Sequence, residues 1–294
     1  MKHNVVKHIF TFTFLFGIAL LLYPFISDYI NSRHQSKVIQ NYQETADQID
    51  DSRKEILFRQ AADYNKKLVE TEGAFYDPEL VDGYMGTLDI TGTGIMGYLN
   101  IDKIHLELPI YHTVSSDVLQ IAVGHLPGTS LPVGGAGTHT VLSGHRGLPR
   151  AKLFSDLDKL EIGDRFTITV MSEVFTYQVE QTKNVEPYEV DDLQIEPGQD
   201  ICTLFTCTPY GVNTQRLFVR AKRVPNDKLE ARRVFYKNEA YRITPALVAP
   251  TIAAPVLLIL YLVLIVRDRR RQRRSAHGKA ETGDNGQDGT KPVP

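Results

Sequence analysis

The chain has 294 residues, with 33 Lys+Arg against 35 Asp+Glu and 42% hydrophobic residues. These globular values exclude disordered, collagen-like and coiled-coil chains, and a net charge of −2 removes nucleic acid as a default partner. Two cysteines are too few for a disulfide scaffold, and no C-x-x-C pair marks a structural zinc site.

Charge is segregated along the chain. Lys2 and Lys7 precede an uncharged run of 18 residues, Ile9 to Ile26. A second uncharged run of 22 residues, Pro245 to Val266, meets six Arg packed into Arg267–Arg274. A helix crossing the hydrocarbon core needs roughly 20 apolar residues, and about 17 suffice. The second run therefore reads as a transmembrane helix; Pro245, Pro250 and Pro255 lie in its first half, where they are tolerated. The first run resembles a signal peptide in its basic flank but has no A-x-A-like pair after Leu22, and it reads as an uncleaved anchor. Basic flanks stay cytoplasmic. The expected order is thus a cytoplasmic N-terminus (1–8), a membrane helix (9–26), an extracellular segment, a second membrane helix (245–266) and a basic, then disordered, cytoplasmic tail (267–294).

The external segment changes texture along its length. In 27–72, Val38, Ile39, Tyr42, Ala46 and Ile49, then Ile56, Leu57, Ala61, Tyr64 and Leu68, recur at helical spacing, and Gly73 stops the second run. Residues 73–94 show no periodicity and read as a long loop, a common lid element. From 95 to 225 short strands alternate with turns: Tyr98–Ile101, Leu106–Tyr111, Thr140–Ser143, Arg165–Val170, Val174–Lys183, Ile201–Cys207 and Arg216–Lys222, with a short helix expected over Ser116–Val123. That pattern predicts a barrel or sandwich, followed by a membrane-proximal linker (226–244). Gly92-Thr-Gly94-Ile-Met-Gly97 matches the dinucleotide fingerprint in letters only, since a strand rather than a helix should follow it.

Cys202 and Cys207 share one predicted strand. Five residues of extended chain span roughly 16 Å, too far for a disulfide, and odd separation places the two on opposite faces. Cys202 reads as a core residue. Cys207 ends the strand beside a turn, where it is either a nucleophile or an inert thiol. A nucleophile needs a base or cation nearby. His145, at the end of Thr140–Ser143, and His125 are both candidates, while His139 sits at the other end of that strand. Arg216 opens the strand that returns beside Cys207.

TLFTC at Thr203–Cys207, continued by TPYGVNTQRLFVR, resembles the sortase signature, and SGHRGLP at Ser143–Pro149 resembles the sortase histidine motif. With GYLNIDKIHLELPIYH, GHLPGTSLPVGG and AKLFSDLDKLEIGD, the likeness runs over about 125 residues. TLxTCTPYGVNTxRL and a second, C-terminal apolar run resemble class C, the pilus-assembling sortases. The resemblance implies a mainly β fold: an eight-stranded sortase barrel with short helices, an N-terminal helical extension and a lid, flanked by two transmembrane helices. It implies a Gram-positive, membrane-anchored cysteine transpeptidase that cleaves LPxTG-like sorting signals and joins pilin subunits through a lysine acceptor, with no metal or organic cofactor. Cys207 is then the nucleophile, His145 the general acid and Arg216 the oxyanion and substrate contact; Thr206, Leu204 and His125 are expected at the substrate. The class C lid motif, Asp-Pro followed by an aromatic, maps to Asp77-Pro78, but Glu79 stands at the aromatic position, leaving Phe75 or Tyr76 to cover Cys207 and Asp77 to pair with Arg216. The alternatives are a housekeeping sortase that attaches proteins to cell-wall precursor, and an inactive membrane-anchored scaffold or adhesin.

Overall fold

Helices come first in the chain. The computed structural model describes residues 2–148 and 151–226, with scattered helical positions between 255 and 270; the expected second membrane helix, linker and tail fall largely outside the described residues. The residues group into two compact units, one of Pro24–Asn238 and one of the two chain ends. Within the latter, Phe14 stacks on Tyr261 with ring centroids 5.2 Å apart, and the hydroxyls of Thr11 and Tyr261 meet. The described residues include one helix long and apolar enough to cross a membrane, near the N-terminus, with a mean hydropathy of 1.6 over its apolar window.

That helix, α1, runs from Lys2 to Asp47 without a break. The apolar run and the first helix of the extension, expected as separate elements, are therefore one. Nothing between Ile26 and Lys37 breaks a helix, and Pro24 is accommodated inside it. Helix α2, Asp51–Glu70, opens at Asp50, whose carboxylate accepts from Arg53 N at 3.0 Å, satisfying one of the free N–H groups of the first turn. Both helices dock by buried polar contacts as well as apolar ones. Tyr42 on α1 donates its hydroxyl to Met96 O and accepts from Met171 N, each at 3.0 Å. Asn65 on α2 donates to Leu131 O at 3.1 Å and accepts from Leu131 N at 2.7 Å.

Among the described residues the eight strands are β1 (Ile95–Ile101), β2 (Leu106–His112), β3 (Val123–His125), β4 (Thr138–Ser143), β5 (Arg165–Val170), β6 (Glu173–Val185), β7 (Asp200–Thr208) and β8 (Gln215–Arg223). They close a barrel in the order β1-β2-β3-β4-β7-β8-β6-β5. The β2–β3 and β4–β7 pairs are parallel and the others antiparallel. Seven strands follow the sequence expectation with small shifts at their ends. Strand β3 does not: the predicted helix over Ser116–Val123 stops at Leu119, and Val123 pairs with Ile110 instead. The glycine fingerprint runs into β1, as its context implied.

Alternate residues fill the barrel: Leu142 from β4, Cys202 and Leu204 from β7, Leu217, Val219 and Ala221 from β8. The outer face of the β4–β7–β8 region is not bare. Val141, Val185, Leu193 and Phe218 form a second apolar cluster there, with Phe75, Leu126, Val190 and Phe205 packed against it.

Segment 73–94 is tied down more than a free loop would be. It carries two 3-10 turns, Pro78–Leu80 and Tyr84–Gly86, and buries Ala74, Val81 and Leu88 in the main core. His112 on β2 places both ring nitrogens 2.9 Å from carbonyl oxygens of this segment, those of Gly94 and Thr87. Gly128 lets it lie close: a Cβ there would stand 2.6 Å from Phe75 O.

Candidate active site

Three neighbouring strand ends build the site. On the parallel β4–β7 ladder Ser143 pairs with Phe205. The pairing continues past β4, with Gly144 N donating to Phe205 O at 3.2 Å and Thr206 Oγ1 to Gly144 O at 2.7 Å. Two residues beyond Ser143 and Phe205 stand His145 and Cys207. On the other side, Cys207 is the direct antiparallel partner of Arg216. Since Leu142, Leu204 and Leu217 point into the barrel, alternation puts Cys207 and Arg216 on its outer face, and the ladder carries His145 to the same row. All three are half-buried.

The histidine segment is rigidly seated. His145 O accepts from Phe154 N at 3.0 Å, and a Cβ on Gly144 would stand 2.7 Å from the Phe154 ring. Partial burial holds the His145 imidazole below its ordinary pKa. Arg216 donates Nη1 to Asn213 O at 3.3 Å and Gln215 O at 3.0 Å, which orients the guanidinium at the β7–β8 turn. Cys202 is fully buried, and burial pushes its thiol well up, so the two free cysteines are chemically distinct. Among the described residues no group of three or more His, Cys, Asp or Glu gathers into a metal-binding cluster.

Other expected contacts are placed elsewhere. Leu204 is fully buried in the barrel core, and Thr206 is 1% exposed with its hydroxyl bonded to Gly144. Neither side chain shares a face with Cys207. His125 is also fully buried, its Nε2 2.8 Å from Ser130 O and its Nδ1 2.9 Å from the Tyr84 hydroxyl. It braces the core and is closed to a substrate. Asp77 is exposed and makes no ion pair with Arg216, whose Nη1 is taken by the turn carbonyls. Phe75 lies in the outer cluster with Phe205, two residues before Cys207 on the same face. Tyr76 is exposed and its hydroxyl accepts from Gln194 Nε2 at 3.2 Å. Sequence reasoning assigned no role to Arg146, half of the His-Arg pair, or to His112; only adjacency to the motif singled out the first, and nothing the second.

A family profile described as Sortase domain matches residues 99–224. Sortase C1 from Streptococcus agalactiae is 47% identical, covering 65% of this chain and 100% of that one with a TM-score of 0.60. The chain belongs to the sortase family. Its fold is the sortase barrel, and the family's members are cysteine transpeptidases. Sortase C from Streptococcus pneumoniae, a structure solved in connection with pilin substrate specificity, is 43% identical over 65% of this chain and 97% of that one, with a TM-score of 0.59. Sortase D from Bacillus subtilis is 31% identical over 131 residues, 44% of this chain and 63% of that protein. The chain thus spans under two thirds of that sortase's length, while it covers the class C barrels almost whole.

Proposed function

We propose that this sortase is a pilus-assembling, class C transpeptidase. The observation that carries the reading is the register that sets His145, Cys207 and Arg216 side by side on one face of the barrel. Cys207 Sγ attacks the Thr carbonyl of an LPxTG-like signal, the Thr–Gly bond breaks, and His145 gives its proton to the departing Gly amine. Arg216 faces the carbonyl oxygen and offsets its developing charge. A pilin Lys amine then attacks the thioester; the C–S bond breaks, an isopeptide bond forms, and the amine's proton passes to His145. The likeness to class C barrels at 40–47% identity supports the pilin reading over the cell-wall one. The domain plan proposed is an anchor at 9–26, a helical extension to 72, a lid over 73–94, the catalytic barrel at 95–225 held outside the membrane, a membrane-proximal linker over 226–244, and a second anchor at 245–266 with both termini cytoplasmic. Phe75, packed against the same outer apolar cluster as Phe205, is the proposed lid ring. Incubating the chain with a purified pilin tests the reading: a ladder of covalent multimers, lost in Cys207→Ala, is expected, whereas transfer only to a cell-wall precursor mimic would favour the housekeeping role.

A further inference from the structure

His145, Cys207 and Arg216 face outward, and the next residue along each strand or its extension faces the other way. Arg146, Thr208 and Leu217 line a cleft of about 450 Å³ on that opposite side, walled also by Leu157, Asp158 and Tyr210. Arg146 dominates it. Its side chain is only 8% exposed, and Nη2 pairs with Asp158 Oδ2 at 2.6 Å. Nη1 reaches Thr208 Oγ1 at 3.4 Å, and the guanidinium carbon lies 5.7 Å from the Tyr210 ring centroid. Nε is buried with no partner.

A buried guanidinium keeps its charge, and a donor left unpaired is costly. Stability alone favours an apolar side chain at such a place. What the guanidinium does instead is join three separate segments: the β4 extension that carries His145, the 3-10 stretch Leu153–Lys159 through Asp158, and the turn after Cys207 through Thr208 and Tyr210. A lysine, as a compact point charge, can pair with Asp158 but has no planar fork to reach Thr208 and the Tyr210 ring at the same time.

We propose that Arg146 is a positioning residue, a bolt behind the sheet that fixes the separation of His145 and Cys207. This rests on the reading of those two as acid and nucleophile. Displacing a reacting group by about 1 Å costs on the order of a hundredfold in rate, so the effect belongs in kcat. Substrate binding lies on the other face, so KM should hold.

The test uses the full chain and cleavage of an LPxTG-type peptide. Arg146→Ala should lower kcat at least tenfold with KM within twofold, and Arg146→Lys should fall between it and the wild type. Methylguanidine, which fits the vacated cleft beside Asp158 and Tyr210, should restore kcat of Arg146→Ala at least threefold and leave His145→Ala unchanged. Should Arg146→Ala not fold, Arg146→Lys carries the same kcat–KM split. An unchanged kcat, a loss confined to KM, or a loss matching the fraction unfolded overturns the inference while a silent His145→Ala leaves the site reading intact. Near-normal turnover in His145→Ala overturns the site reading, and this inference with it.

Discussion

Cys202 and Cys207 are one residue type, five positions apart on one strand, and the pleat gives them different chemistry. Odd spacing sends Cys202 into the barrel and leaves Cys207 on the outer face between His145 and Arg216. The same rule, applied consistently, excludes Leu204 and Thr206 from the substrate face, so their placement was legible in the sequence and misread. His125 was not legible in this way, because its fate depends on Tyr84, 41 residues earlier in the chain. The buried histidines set an acid limit on stability. Burial drives His125 and His139 down to about 4, while their ordinary value is 6.5. The unfolded chain takes up those protons as pH falls below about 6.5 and the folded one refuses them until about 4. Stability is therefore full above 6.5 and drains across that window, by up to about 3 kcal/mol per histidine. Melting curves between pH 7 and 4.5 should show a falling Tm, with a shallower slope in His139→Gln.

At the scale of elements, helical spacing and alternation foretold α2 and seven strands, because each buries one regular face. They could not foretell β3, which has only three residues, or the parallel β2–β3 and β4–β7 pairings, which connections across the barrel decide. Polar docking was equally hidden. Asn65 reads as a helix-surface residue, yet it is 4% exposed and doubly bonded to Leu131. Asn65→Leu should cost roughly 2–3 kcal/mol, read by denaturant unfolding, since it strands a buried N–H and C=O. The proposed lid segment is likewise anchored by apolar packing rather than by the expected Asp77–Arg216 ion pair. Phe75 packs against the same outer apolar cluster as Phe205, while Asp77 is exposed. Phe75→Ala should therefore speed iodoacetamide alkylation of Cys207 several-fold, and Asp77→Ala should change it by less than twofold. Equal acceleration by both would restore Asp77 to the closure.

For the molecule as a whole, motif and fold converge on one end of the barrel. The residues proposed to bear the chemistry are at positions 145, 207 and 216, and the parallel β4–β7 and antiparallel β7–β8 pairings make them neighbours. Acyl transfer to Cys207 is read out by peptide-mapping mass spectrometry. The full chain is mixed with an LPxTG-type peptide, quenched in acid and digested. The account predicts that the peptide's acyl part, ending at Thr, is found as a thioester on the fragment containing Cys207, and that Cys207→Ala shows neither adduct nor cleavage. Cleavage persisting in Cys207→Ala, or an acyl group carried by any other residue, would contradict it.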